Sequence, residues 1–148
     1  MTTGGCLCGQ VRFEATGPFE GAVLCYCGFC QKVSGAAFSG VAPLPVERYR
    51  LLSGKDPIGE FESSPGVFRA FCSSCGSSLY ARVAADPGAI RLRLGSLDDG
   101  SQVQITAHAW VSSKPAWHTI GDDLPQYARG LTGPLMRRNQ DIKPSSLP

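Results

Sequence analysis

Long hydrophobic runs are missing from this 148-residue sequence. No apolar stretch approaches the about 20 residues needed to cross a bilayer, so no membrane partner is expected. The N-terminus, Met1-Thr2-Thr3-Gly4-Gly5, has no basic segment followed by an apolar one, so no signal peptide is expected and the expected compartment is the cytoplasm. A strong surplus of one charge is also missing. Lys and Arg number 14 against 12 Asp and Glu, a formal charge of +2, and Arg137, Arg138 and Lys143 near the C-terminus supply the excess. That excludes the broad basic surface on which nucleic-acid binding relies. No helical periodicity persists over a dozen residues, and there is no internal repeat. Histidine is scarce, with His108 and His118 alone, so few imidazoles are available as ligands or acid–base groups.

Cysteine is what the sequence has in quantity. Seven occur in three groups: Cys6-x-Cys8, Cys25-x-Cys27-x-x-Cys30 and Cys72-x-x-Cys75. In a reducing compartment such groups bind metal more often than they form disulfides, and the odd count argues against a complete intrachain set. Two knuckles far apart in sequence commonly close one four-thiolate zinc site. Cys6, Cys8, Cys72 and Cys75 supply that set, and Cys25, Cys27 and Cys30 remain as a three-thiolate set. A competing partition joins Cys6 and Cys8 to two of the central cysteines. The first is preferred because it leaves no stray thiol. Four protein ligands make a closed, structural zinc site, and three leave a position for water or substrate. Seven thiolates and two zinc ions would bring the formal charge to about −1.

The rest reads as a β fold. Hydrophobic residues make up 43%, enough for a core, and 18 Gly and 11 Pro punctuate short stretches of alternation. Strands are predicted over Gln10–Ala15, with Val11, Phe13 and Ala15 on one face, and over Gly21–Cys25, Ala37–Pro43 and Leu79–Ala84. A hairpin is predicted from Ile58–Glu62 and Val67–Phe71 around Ser64-Pro65-Gly66. Pro45–Tyr49 suits one helical turn, Gln31–Ala36 a turn or short helical piece, and Asp86-Pro87-Gly88 a turn. Gly76, after the second cysteine of its knuckle, suits a positive φ. Ile90–Leu94 and Val103–Val111 alternate as antiparallel strands joined through Asp98-Asp99-Gly100. The hydrophobic pattern stops at Leu131.

Five pieces of the sequence together resemble the glutathione-dependent formaldehyde-activating enzyme family, which also includes centromere protein V. They are Gly5-Cys6-Leu7-Cys8-Gly9 with Val11-Arg12-Phe13; Cys25 through Gly35; Phe71-Cys72-Ser73-Ser74-Cys75-Gly76-Ser77; Gly95-Ser96-Leu97-Asp98-Asp99; and Trp117 with Asp122-Asp123-Leu124-Pro125. The resemblance implies a mainly β fold of small antiparallel sheets around zinc knuckles, of the β-tent type. It implies one such domain over residues 1–130, and an extended tail over 131–148 is expected to follow. It also implies a structural zinc on Cys6, Cys8, Cys72 and Cys75 and a second zinc on Cys25, Cys27 and Cys30, two per chain. The activity implied is carbon–sulfur lyase chemistry that reversibly joins formaldehyde and glutathione as S-hydroxymethylglutathione. The sequence departs from the family at Tyr26, where Cys-His-Cys is common; the ligands are unaffected.

On that chemistry, Cys25, Cys27 and Cys30 are expected to hold the zinc that receives the substrate sulfur. Lys32 is the first candidate for meeting the negative charge of a thiol such as glutathione. Ser34 is expected to stabilise a turn. Both histidines are expected at the surface or in hydrogen bonds, with His108 facing away from the core side of its strand. Trp110 and Trp117 are expected in the core or a pocket wall, and Phe29 as a shield over zinc or part of a pocket. The expected partners are a small thiol and a small aldehyde. The alternatives are a non-catalytic zinc-stabilised binding module and an enzyme of this fold acting on a different thiol or aldehyde.

Overall fold

The structure is a computed structural model, and it describes residues 1–131. The predicted tail over 131–148 therefore lies, beyond its first residue, outside the described residues. The chain is mainly β. In order it forms β1 (Thr2–Gly5), β2 (Arg12–Ala15), β3 (Ala22–Cys25), α1 (Gly28–Ser34), β4 (Ser39–Pro45), β5 (Tyr49–Ser53), β6 (Ile58–Ser64), β7 (Val67–Cys72), β8 (Ser78–Val83), β9 (Asp86–Arg93) and β10 (Ile105–Ala109). It divides into two units, one of Met1–Glu20 with Val41–Gln104, the other of Gly21–Gly40 with the chain from Ile105 on.

The first unit holds a three-stranded antiparallel sheet, β1-β2-β5, and strands in the order β4-β9-β8-β7-β6. The predicted face of Val11, Phe13 and Ala15 is fully buried, as period-two alternation requires of a strand with one face on a core. The Phe13 ring packs on Tyr49 with centroids 5.0 Å apart. Leu44, Leu79 and Leu92 are also fully buried, and each contributes about 1.5–3 kcal/mol by leaving water. The β6–β7 hairpin forms where its turn residues place it and ends at Cys72. Val46–Arg48 makes the expected helical turn, of the 3-10 type. The turn expected at Asp86-Pro87-Gly88 falls two residues earlier, at Ala84–Ala85, and β9 begins at Asp86. Asp86 is still paired with Val83, so pairing extends past the turn residues.

In the second unit β3 and β10 run parallel, with Ala22 beside Ile105 and Cys25 beside Ala109. This corrects the expected antiparallel pairing of Val103–Val111 with Ile90–Leu94. Alternation reports which face is buried, not which strand is the neighbour. On its other side β10 meets the segment around Gln126. The His108 amide donates to the Pro125 carbonyl at 2.8 Å, and the Tyr127 amide donates to the His108 carbonyl at 2.8 Å. Flanked on both sides, β10 buries three consecutive residues, Ala107, His108 and Ala109. His108, expected to face away from the core, is 1% exposed.

Candidate metal centres

The first cysteine cluster is built by backbone turns in the first unit. The Cys6 amide donates to the Val11 carbonyl at 3.1 Å, and the Gly9 amide donates to the Cys6 carbonyl at 3.1 Å. These bonds curl Cys6 to Val11 into a knuckle, and the Val11 amide donates to the Cys6 sulfur at 3.2 Å. The second knuckle closes when the Gly76 amide donates to the Cys72 carbonyl at 2.7 Å, with Gly76 at the expected positive φ of 75°. Ser77 joins the two. Its hydroxyl accepts from the Leu7 amide at 2.9 Å and lies 3.2 Å from the Cys75 sulfur.

The sulfurs of Cys6, Cys8, Cys72 and Cys75 all lie within 4.8 Å of one another. Cys8 is 3.4 Å from Cys6 and 3.8 Å from Cys72. Four thiolates about 2.3 Å from a tetrahedral zinc stand about 3.8 Å apart, so this donor set fits such an ion. The fold brings together the sulfurs of Cys6, Cys8, Cys72 and Cys75, the set of the preferred partition. Hydrogen bonds from the Ser77 hydroxyl and amide lower the Cys75 thiol to about 5. In Cys8 an amide bond from Gln10 favours the thiolate, but the crowding of Cys6 and the other sulfurs outweighs it and pushes the thiol up to about 12. Negative charge concentrated in this way is what a divalent cation relieves.

The second cluster is local. Cys25 ends β3, Cys27 caps α1, and Cys30 lies in the first turn of that helix. The cap has extended φ and ψ of −62° and 153°, and its sulfur accepts from the Cys30 amide at 3.4 Å. The helix begins three residues before the predicted Gln31 and ends at Gly35, whose amide donates to the Gln31 carbonyl at 2.9 Å. The three sulfurs lie within 4.8 Å of one another, a soft, three-thiolate donor set suited to zinc. Hydrogen bonds with Cys27 and Cys30, together with burial, push the Cys25 thiol up. No fourth Cys, His, Asp or Glu joins this group among the described residues.

Tyr26, between two of those cysteines, is fully buried. Its amide donates to the Ala109 carbonyl at 2.9 Å, and its carbonyl accepts from Gln31 Nε2 at 2.6 Å. Its hydroxyl lies 3.4 Å from His108 Nδ1 and 3.3 Å from His118 Nε2. His108 Nε2 in turn lies 2.8 and 3.0 Å from the two carboxylate oxygens of Asp122. That imidazole bond, helped by the Leu124 amide, holds the Asp122 carboxyl below the usual range. Burial, with the Asp122 charge, raises the Tyr26 phenol to about 12. The sequence reading missed this group because its members are 82 and 14 residues apart. The polar residue in the middle of the cysteine run was the available signal.

The other candidates divide. Lys32 is exposed in the last turn of α1, where a cation favours the helix dipole. Ser34 stabilises its turn as expected, donating to the Phe38 carbonyl at 2.9 Å and accepting from the Ala36 amide at 3.2 Å. Trp110 and Trp117 are not core residues, being 39% and 73% exposed, and Phe29 is half exposed. His118 is half-buried against Phe38, with ring centroids 5.5 Å apart.

A family model described as glutathione-dependent formaldehyde-activating enzyme matches residues 1–113. The chain belongs to this family. Relatives from Aspergillus flavus and Aspergillus oryzae, both named "Putative glutathione-dependent formaldehyde-activating enzyme", are 31% identical over 83 residues, 55% of this chain and 44% of theirs. A Fusarium vanettenii protein of the same name is 31% identical over 80 residues, 53% of this chain and 43% of its own. The chain thus spans less than half the length of these family relatives. A crystal structure of a Rhodobacter sphaeroides protein shares the fold, with TM-score 0.56 and 21% identity over 65% of this chain and 87% of that one. The family match takes in all seven cysteines, Tyr26 and His108 but ends before His118 and Asp122. Among the described residues, no helix is long and apolar enough to cross a membrane.

Proposed function

We propose that the protein is a zinc-dependent carbon–sulfur lyase that forms and cleaves an adduct between a glutathione-type thiol and a small aldehyde. The observation that carries this reading is the different size of the two donor sets, four sulfurs in one and three in the other. Cys6, Cys8, Cys72 and Cys75 would hold a structural zinc. Cys25, Cys27 and Cys30 would hold a second zinc, which supplies a Lewis-acidic position where a thiol loses its proton near neutral pH.

The reaction needs no oxidant. The thiol sulfur bonds to the carbonyl carbon, the carbon–oxygen π bond opens onto oxygen, and the proton lost by sulfur is returned to that oxygen. The reverse step breaks the carbon–sulfur bond. The three cysteines orient the site, because β3 fixes the first and the cap of α1 fixes the second. Exposed Lys32, two residues beyond Cys30, would attract a glutathione carboxylate. The family name supports glutathione and formaldehyde as the reacting pair.

Exchange spectroscopy of formaldehyde with glutathione, by NMR, tests the proposal against the unaided reaction. Wild type should accelerate exchange, and Cys27→Ser should lose at least tenfold of that acceleration together with the second zinc. Full activity with the second site empty would move the chemistry elsewhere. No acceleration with two zinc ions bound would favour a non-catalytic binding module or another thiol–aldehyde pair.

A further inference from the structure

Tyr26 is held at every polar atom it has. Its amide and carbonyl are tied to Ala109 and Gln31, and Gln31 Nε2 also donates to the Ser113 carbonyl at 2.8 Å. Its ring packs on Phe38, with centroids 5.4 Å apart. Its side chain is fully inside the protein, where an O–H left without a partner is costly. The flanking residues on both sides are cysteines of the three-sulfur cluster. A residue so placed fixes the turn on which two of the three sulfurs ride.

The hydrogens of this group follow from the acceptors. An ionised carboxylate only accepts, so His108 Nε2, 2.8 Å from Asp122 Oδ1, carries a proton. In a neutral imidazole Nδ1 then carries none and accepts from the Tyr26 hydroxyl. The Tyr26 oxygen is left to accept, and His118 Nε2 is the donor within reach.

We propose that Tyr26 is the positioning residue of the three-cysteine site, held by a one-directional hydrogen-bond chain from its hydroxyl through His108 to Asp122. The proposal rests on reading Cys25, Cys27 and Cys30 as a metal site but not on the lyase activity. The four-cysteine site serves as an internal control in the same molecule. Outer partners of metal ligands commonly change affinity by about 10–100-fold, and here the hydroxyl acts through the backbone of the ligand turn.

The test is zinc release from the full, reduced chain to a chromophoric chelator, with Cys27→Ser assigning the weaker phase. Tyr26→Phe should weaken that phase about tenfold and leave the tighter one unchanged. His108→Gln offers a donor and an acceptor in place of the two ring nitrogens, so it should retain wild-type affinity, whereas His108→Leu should match Tyr26→Phe. Long-range proton–nitrogen NMR on the wild type, with only two imidazoles to assign, should show His108 protonated at Nε2 alone. Equal loosening of both sites, or a lower melting temperature with unchanged zinc affinities, would overturn the proposal. So would a protonated His108 Nδ1, or failure of His108→Gln where His108→Leu also fails. A wild type that releases one zinc, indistinguishable from Cys27→Ser, would instead overturn the metal reading beneath it.

Discussion

The two cysteine clusters use the same side chain in opposite ways. One gathers sulfurs from knuckles 64 residues apart, so a metal there closes a long loop and joins the start of the chain to the β6–β7 hairpin. The other takes all its sulfurs from six consecutive residues, between the end of β3 and the first turn of α1. A metal there closes almost no loop. Ligand binding that orders distant segments contributes to folding; binding to a turn already held by its neighbours contributes little to folding and leaves the ion free for exchange. Ser77 bridges the knuckles of the first cluster, and Tyr26 braces the second from inside its own run of cysteines.

The largest expected effect follows from the long loop. Cys72→Ser should lose the zinc of the first unit and on the order of 3 kcal/mol or more of stability, visible as loss of a cooperative thermal transition. A retained transition would remove the contrast between the clusters. Gly54→Ala should come next. Gly54 has φ 79°, and an added Cβ would stand 2.3 Å from the Gln10 carbonyl oxygen, beside the first knuckle. The expected cost is about 1–3 kcal/mol, read from the denaturant midpoint, with easier zinc removal from the four-cysteine cluster only. Cys27→Ser should sharpen the contrast from the other side: one zinc fewer per chain by elemental analysis, and a stability change below about 1 kcal/mol.

The smallest effect tests a part of the first unit that holds no cysteine. Arg82 hydrogen-bonds Glu60 through two bonds of 2.7 and 2.6 Å and holds its carboxyl below the usual 4.5. A depressed folded value stabilises the protein above the unfolded value, and that contribution is lost as acid protonates Glu60 through its folded value. The pair is partly exposed, so Glu60→Gln should cost less than about 1 kcal/mol at neutral pH. The difference from wild type should shrink as pH falls below about 4.5, in chemical denaturation at graded pH.

Much of this architecture is legible in the residues, and the parts that are not share a cause. The Val11–Phe13–Ala15 face and the β6–β7 hairpin declare themselves by alternation and turn residues, which are local. The cysteine runs declare themselves by spacing, but which runs share a site does not; the fold brings Cys6 and Cys8 to Cys72 and Cys75. β1 does not, because Thr2-Thr3-Gly4-Gly5 has no apolar alternation. It is a strand because Gly4 admits the Phe13 ring, where a Cβ would stand 2.4 Å from the ring edge. The neighbour of β10 and the burial of His108 are also decided at a distance. An imidazole between apolar residues reads as outward-facing until Tyr26 and Asp122 are placed against its two nitrogens.

The parallel pairing of β3 and β10 has a consequence for how such a protein can change. Parallel neighbours deliver the chain that follows each of them at the same end of the pair. The cysteine turn leaves β3 there, and the stretch from Trp110 to His118 leaves β10 there. The candidate ligands all lie in the first of these segments, and the exposed surroundings, Trp117 among them, in the second, which carries no ligand. Mutation can revise the exposed positions of the second segment, Trp117 first among them, while the sulfurs and the His118 and Ser113 contacts that hold their turn stay untouched. New surroundings can thus be tried on without removing a single sulfur from the cluster.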